Sequence, residues 1–210
     1  TPHGVPPFDK ILPEHFMPAF ERGMSLHEAE IDAITSNKDE ATFENTILAY
    51  DNAGQMLAQT ELVFGMLCAA ETNDRMQALQ EQAMPLLAAH RDKIRLDDKL
   101  FVRVKEVYDR RAALGLDAEQ MRLLQRTYDS FVRAGALLDA EQKARLKEIN
   151  GQLSLTAVKF GNNILAENNN FVLELKSDEL DGLPAGIRDA AREKAQQMGK
   201  GDKWGFTLDK

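Results

Sequence analysis

The chain is poor in the residues that build closed chemical sites. It has one cysteine, Cys68, so an internal disulfide and a cysteine-rich metal site are both excluded. Cys68 reads most simply as a small core residue. No apolar run approaches the ~18 residues that a membrane span requires. The most apolar stretch, Val63 to Ala70, lies inside a helix-forming segment. Lys and Arg total 26 against 34 Asp and Glu, a net charge of −8, which argues against a nucleic-acid surface. There is no glycine-rich phosphate loop and no G-x-S-x-G elbow. Histidine is scarce too: His3, His15, His27 and His90. A helical zinc-protease motif needs H-E-x-x-H, and the near match His27-Glu28-Ala29-Glu30-Ile31 has isoleucine in place of the second ligand. An amphipathic helix explains His27 and Glu28 without a metal. His90 falls on an apolar face, where a hydrogen-bonded core histidine is the simplest reading.

What the chain does have is helical periodicity. From Thr42 to Asp74 it contains no proline, and Phe43, Tyr50, Leu57 and Phe64 recur every seven residues. Ile47, Gly54, Glu61 and Cys68 form a second row four residues on, so the two rows make a stripe along one continuous helix. About 29 residues at ~1.5 Å each would give a central post ~43 Å long. Gly54 and Glu61 interrupt the stripe. Glycine in a helix interior costs up to ~1 kcal/mol relative to alanine, which predicts close approach of a neighbouring helix at Gly54. Glu61 should either meet water or pair with a buried Arg or Lys, because a buried unpaired carboxylate is costly.

Three of the seven prolines fall in residues 1–12, which read as an extended arm, with Phe8, Ile11 and Leu12 available to pin it. A short turn at 13–16 and a helix from about 18 to 36 follow. Thr42 is a plausible cap, with Asn45 three residues on. Thr72 or Asn73 should cap a helix over about 74–95, with Met76, Leu79, Ala83, Leu87, His90 and Ile94 inward and a kink at Pro85. Asp97 should open a helix to about Leu114, ended by Gly115. Asp-Ala-Glu-Gln occurs at 117–120 and at 139–142, each an Asp cap with Gln three residues on. The first predicts a helix to about Arg133. The second predicts one to about Glu167, with Leu146, Ile149, Leu153, Ala157, Phe160 and Ile164 on one face. Residues 171–175 and 204–208 read as short strands of unassigned direction around a helix at 187–198.

The expected fold is mainly α, a multi-helix antiparallel bundle with a small two-strand unit near the C-terminus. The expected divisions are an extended arm (1–17), a helical lobe (18–168) and a strand-helix-strand unit (169–210). Two strands do not stand alone, so that unit is expected to continue into further chain.

Several stretches resemble one family. Pro7-Phe8-Asp9-Lys10-Ile11, Pro13-Glu14-His15-Phe16 and Pro18-Ala19-Phe20-Glu21 carry the likeness at the start. Thr42-Phe43-Glu44-Asn45-Thr46-Ile47 and Glu71-Thr72-Asn73-Asp74 continue it. So do Leu100-Phe101, Tyr128 with Phe131-Val132-Arg133-Ala134-Gly135-Ala136, and Phe160 with Asn163. Together these are similar to the Dcp-like peptidyl-dipeptidases of the thimet oligopeptidase and oligopeptidase A family of zinc metallopeptidases. The resemblance implies an N-terminal helical lobe forming one wall of a channel that admits short unstructured peptides. It also implies zinc, an H-E-x-x-H helix and a general-base glutamate in a C-terminal catalytic part outside these residues. No position here matches a family catalytic, cofactor-binding or metal residue, so none is assigned. The expected partner is short peptides, with no nucleic acid and no membrane span. The expected state is a monomer, inactive alone, in the cytoplasm, or in the periplasm if a signal peptide preceded Thr1. A helical scaffold that binds peptides or a partner protein without chemistry is the alternative.

Overall fold

A computed structural model describes residues 4–208. The chain is mainly α-helical, with one two-stranded antiparallel sheet near its C-terminus. It divides into two compact units, Thr1–Val158 and Lys159–Lys210. No helix of the described residues is long and apolar enough to cross a membrane.

In the first unit a 3-10 turn at Pro13–His15 leads into α1 (Phe16–Ser36), so the helix starts two residues before the expected position. Pro18 sits in its first turn, where the missing N–H has no helical partner to lose. The next segment departs from expectation. The stretch from Thr42 is not one rod. It opens as a π-helical turn, Phe43–Leu48, runs through Ala49–Asp51, breaks, and resumes as α2 (Gln55–Ala70). The break is at Gly54, whose φ of 74° lies in the left-handed region that glycine adopts without steric cost. Three members of the first row, Phe43, Leu57 and Phe64, are still buried and Tyr50 is partly buried, but the break divides the row: Phe43 and Tyr50 join one core and Leu57 and Phe64 the other.

Local capping signals behave as their chemistry predicts. Asn45 N–H donates to Thr42 Oγ1 (3.1 Å), and Thr42 N–H donates to Asn45 Oδ1 (2.8 Å). Asn73 is the residue that caps α3 (Asp74–Arg95), accepting from Met76 N–H at 3.1 Å, and that helix continues through Pro85. Asp97 caps α4 (Asp98–Asp109), which is shorter than expected. A separate 3-10 turn at Arg111–Ala113 follows before Gly115 at φ 63°. Both Asp-Ala-Glu-Gln segments form reciprocal boxes, opening α5 (Ala118–Arg133) and α6 (Ala140–Asn170).

The first unit holds two apolar cores. One joins Ile31 and Ile34 of α1, Phe43, Ile47, Ile94, and Leu100, Val104 and Val107 of α4 to Leu124 and Phe131 of α5. Arg103 is buried against it, donating to the carbonyls of Asn37 and Asp39 and to Asn45 Oδ1 at 3.0–3.2 Å, and so holds the 37–45 connection to α4. The other core is aromatic: Phe64 lies 4.9 Å from Phe16 and 5.3 Å from Phe20 between ring centres, with Leu57, Met76, Ala83 and Leu87 around them. The apolar row of α6 is not core. Ile149 and Leu153 are exposed, and so are Phe160 and Ile164 further along the same helix. Its period marks an amphipathic helix, but nothing among the described residues buries that face.

The second unit pairs β1 (Leu173–Leu175) antiparallel with β2 (Trp204–Phe206), Leu173 opposite Phe206, which settles the strand direction. α7 (Ala185–Gln197) lies on the pair: Gly205 approaches the backbone of Ala195 to 3.5 Å from where a Cβ would stand. Arg192 stacks over Trp204 at 5.2 Å. Glu174 is held by both Lys200 and Lys203, and these contacts pull its carboxyl down to about 2.

Candidate functional site

Between the two cores of the first unit lies a polar layer. α1 places Phe16 and Phe20 in the aromatic core and Ile31 and Ile34 in the other, with His27 between them. α3 does the same with Leu87, His90 and Ile94. Two helices with matched periods therefore bring two histidines together. His90 Nε2 is 3.0 Å from His27 Nδ1, so one nitrogen carries the proton and the other accepts it. The rings are 5.1 Å apart.

The surroundings are charged. Glu28 Oε1 is 3.5 Å from His90 Nδ1, which is buried without a hydrogen bond, and Glu28 Oε2 pairs with Lys93 Nζ at 2.8 Å. Glu30 reaches from α1 to accept the Gly54 N–H at 2.7 Å. A Cβ on Gly54 would stand 2.9 Å from His27 Nδ1, so glycine is required there both for its backbone angle and for the space that His27 fills. The expected close approach is thus real, but a side chain of α1 makes it. Glu61 pairs with Arg91 at 2.7 Å, both partly exposed, so the carboxylate meets solvent and a basic partner together.

Both histidines are held below the ordinary value. Burial is the main cause for each; for His27 the facing His90 adds to it, and for His90 the nearby Glu28 opposes it. Chemically the layer can hold a proton between two imidazoles. A first added proton can be shared, with His90 donating toward Glu28 and His27 at once. A second would set two N–H groups against each other at 3.0 Å. A nucleophile is not part of the layer. Cys68 lies apart, against the aromatic core, with its thiol pushed up by burial.

The residues do not fit zinc. Position 31 of the near-motif is a core isoleucine, 3% exposed. No group of three or more His, Cys, Asp or Glu among the described residues could hold a metal ion. Glu30, Lys93 and Arg91 are the members of the layer that sequence reasoning missed. The only local signal was their spacing: Glu30 and Lys93 each stand three residues beyond a histidine.

No family model matches the chain. Among characterised proteins it is 38% identical over 208 residues to dipeptidyl carboxypeptidase of Escherichia coli, covering 99% of this chain and 30% of that protein. It is 24% identical over 197 residues to oligopeptidase A of the same organism, covering 93% of this chain and 29% of that protein. A thimet-like oligopeptidase of Dictyostelium discoideum matches at 23% over 175 residues, 81% of this chain and 25% of that protein. The chain is therefore a relative of peptidases. Over nearly its whole length it is similar to one part of dipeptidyl carboxypeptidase and of oligopeptidase A, and it spans about 30% of the length of the curated relatives it matches.

Proposed function

We propose that these residues form the N-terminal helical lobe of a zinc-dependent peptidyl-dipeptidase or oligopeptidase, and that the lobe walls a channel admitting short unstructured peptides. The observation that carries this reading is the 38% identity over 99% of the chain against only 30% of dipeptidyl carboxypeptidase. The helical architecture is consistent with it. In the longer protein, zinc would be bound outside these residues and would supply an activated water. The reaction would be release of dipeptides from peptide C-termini. The lobe alone would bind no stoichiometric zinc, hydrolyse no peptide and remain monomeric. The compartment is the cytoplasm, or the periplasm if a signal peptide is removed.

The test begins with the reading frame beyond Lys210, which should encode H-E-x-x-H. The longer protein should release dipeptides from a short peptide in a zinc-dependent manner, and the 210-residue chain should not exceed buffer. A frame without the motif, or one tightly held zinc per 210-residue chain, overturns the reading.

A further inference from the structure

A chain of net charge −8 nevertheless gathers four arginines around one pocket. Arg95 ends α3, and Arg122, Arg126 and Arg133 follow one another along α5; Asp129, Ser130 and Ala134 complete the lining of a cavity of about 480 Å³. Arg95 lies close enough to the Tyr50 hydroxyl to oppose the rise that burial gives its pKa. Arg122, Arg126 and Arg133 make no ion pair among the described residues. The single carboxylate, Asp129, is engaged by Gln125 at 2.9 Å. Four guanidinium groups against one carboxylate leave about three uncompensated charges.

Helix electrostatics account for only part of this. Arg95 and Arg133 stand in last turns, where a cation offsets the negative helix end. Arg122 and Arg126 stand earlier in α5, four residues apart, where like charges repel and destabilise the helix. Something that binds them would offset that repulsion. The adjoining cleft, which shares Arg122, Arg126 and Ser130, is lined by Tyr50 and Leu123 but also by Asp51, Asp117 and Glu119. Those carboxylates repel a second anionic group, so an extended polyanion would run its next charge into them. The ligand's charge must be concentrated at the arginine end. A single carboxylate brings one charge, whereas two linked phosphates bring about three on one compact group whose oxygens suit the guanidinium fork.

We propose that Arg95, Arg122, Arg126 and Arg133 form a binding site for a compact, multiply charged phosphate group of the diphosphate class, carried on a small molecule. The probe is inorganic pyrophosphate, titrated calorimetrically into the protein at low and physiological ionic strength. One saturable site per chain is expected, weakening as salt rises. Arg126→Gln should weaken it about tenfold, and Arg122→Gln with Arg126→Gln about a hundredfold. Arg145→Gln, which removes an arginine paired with Glu148 outside the pocket, should leave it unchanged. In phosphate-free buffer Arg126→Gln should melt at the same or a higher temperature, since it relieves repulsion; a purely structural arginine would give the opposite sign. The absence of a saturable site, undiminished binding by the double variant, or a Glu-Glu dipeptide binding more tightly than pyrophosphate would each overturn the proposal.

Discussion

The aromatic core and the histidine layer are adjacent regions crossed by the same two helices, yet they are specified differently. Phe16, Phe20 and Phe64 meet because apolar residues recur at helical spacing, and burial rewards any arrangement that hides them. His27 and His90 meet 63 residues apart in sequence, and their contact holds only if proton, ring orientation and backbone all agree. One region tolerates approximation, while the other depends on single atoms. Breaking each in turn measures the difference.

The largest loss is expected in the apolar region. Phe64 is 1% exposed and touches two further rings. Phe64→Ala should cost roughly 3–5 kcal/mol, the sum of lost burial and the cavity left behind. Equilibrium denaturation gives the value directly. A loss under about 1 kcal/mol would mean that the aromatic core is loosely packed.

Gly54→Leu comes next and attacks the layer through its backbone. It forces a side chain into a left-handed residue, drives a Cβ to 2.9 Å from His27 and presses further atoms against the ring. Overpacking and strain together predict a loss on the order of 1–3 kcal/mol. Gly54→Ala should recover part of it, because alanine keeps the strained φ but adds one carbon. Equal stability of Gly54→Leu and wild type would show that the helix break adapts freely.

The same two positions show what sequence reading reached. The capping pairs Thr42–Asn45, Asp117–Gln120 and Asp139–Gln142 were legible because all their atoms lie within four residues. The buried rows were legible because period alone sets a face. Gly54 is legible only as an anomaly: the glycine interrupts the stripe, but the helix break does not show, since a left-handed residue leaves no mark on the spacing around it. The histidine layer was illegible as a unit, because His27, Gly54 and His90 are joined only by tertiary packing. The exposed row of α6 shows the converse limit, as periodicity marks an apolar face without showing what covers it.

A pH titration should separate the regions without mutation. Both histidines sit below the ordinary value of 6.5 in the folded protein, chiefly through burial. The unfolded chain then binds more protons than the folded one just below pH 6.5, so stability falls as pH drops through that window and is full above it. Glu28, Glu30 and Glu61 oppose the shift of His27, while Lys93 adds to that of His90. His90→Phe should flatten the pH dependence, whereas Phe64→Ala should lower stability evenly across pH 5–8. A profile unchanged by His90→Phe would assign the acid sensitivity to other groups.

The smallest effect is expected at the rim, where Glu61 meets Arg91. The side chains are 29% and 46% exposed, so water and salt screen the pair. A double-mutant cycle with Glu61→Gln and Arg91→Met should return a coupling below about 1 kcal/mol, shrinking further in added salt. The outcome bears on the extent of the layer. Glu61 acts electrostatically on both histidines, so a coupling well above 1 kcal/mol that also changed with pH near 6 would draw it into the buried network. A small, salt-sensitive coupling leaves Glu61 as the solvent-facing edge, where its interruption of the apolar stripe marks only the point at which the helix turns toward water.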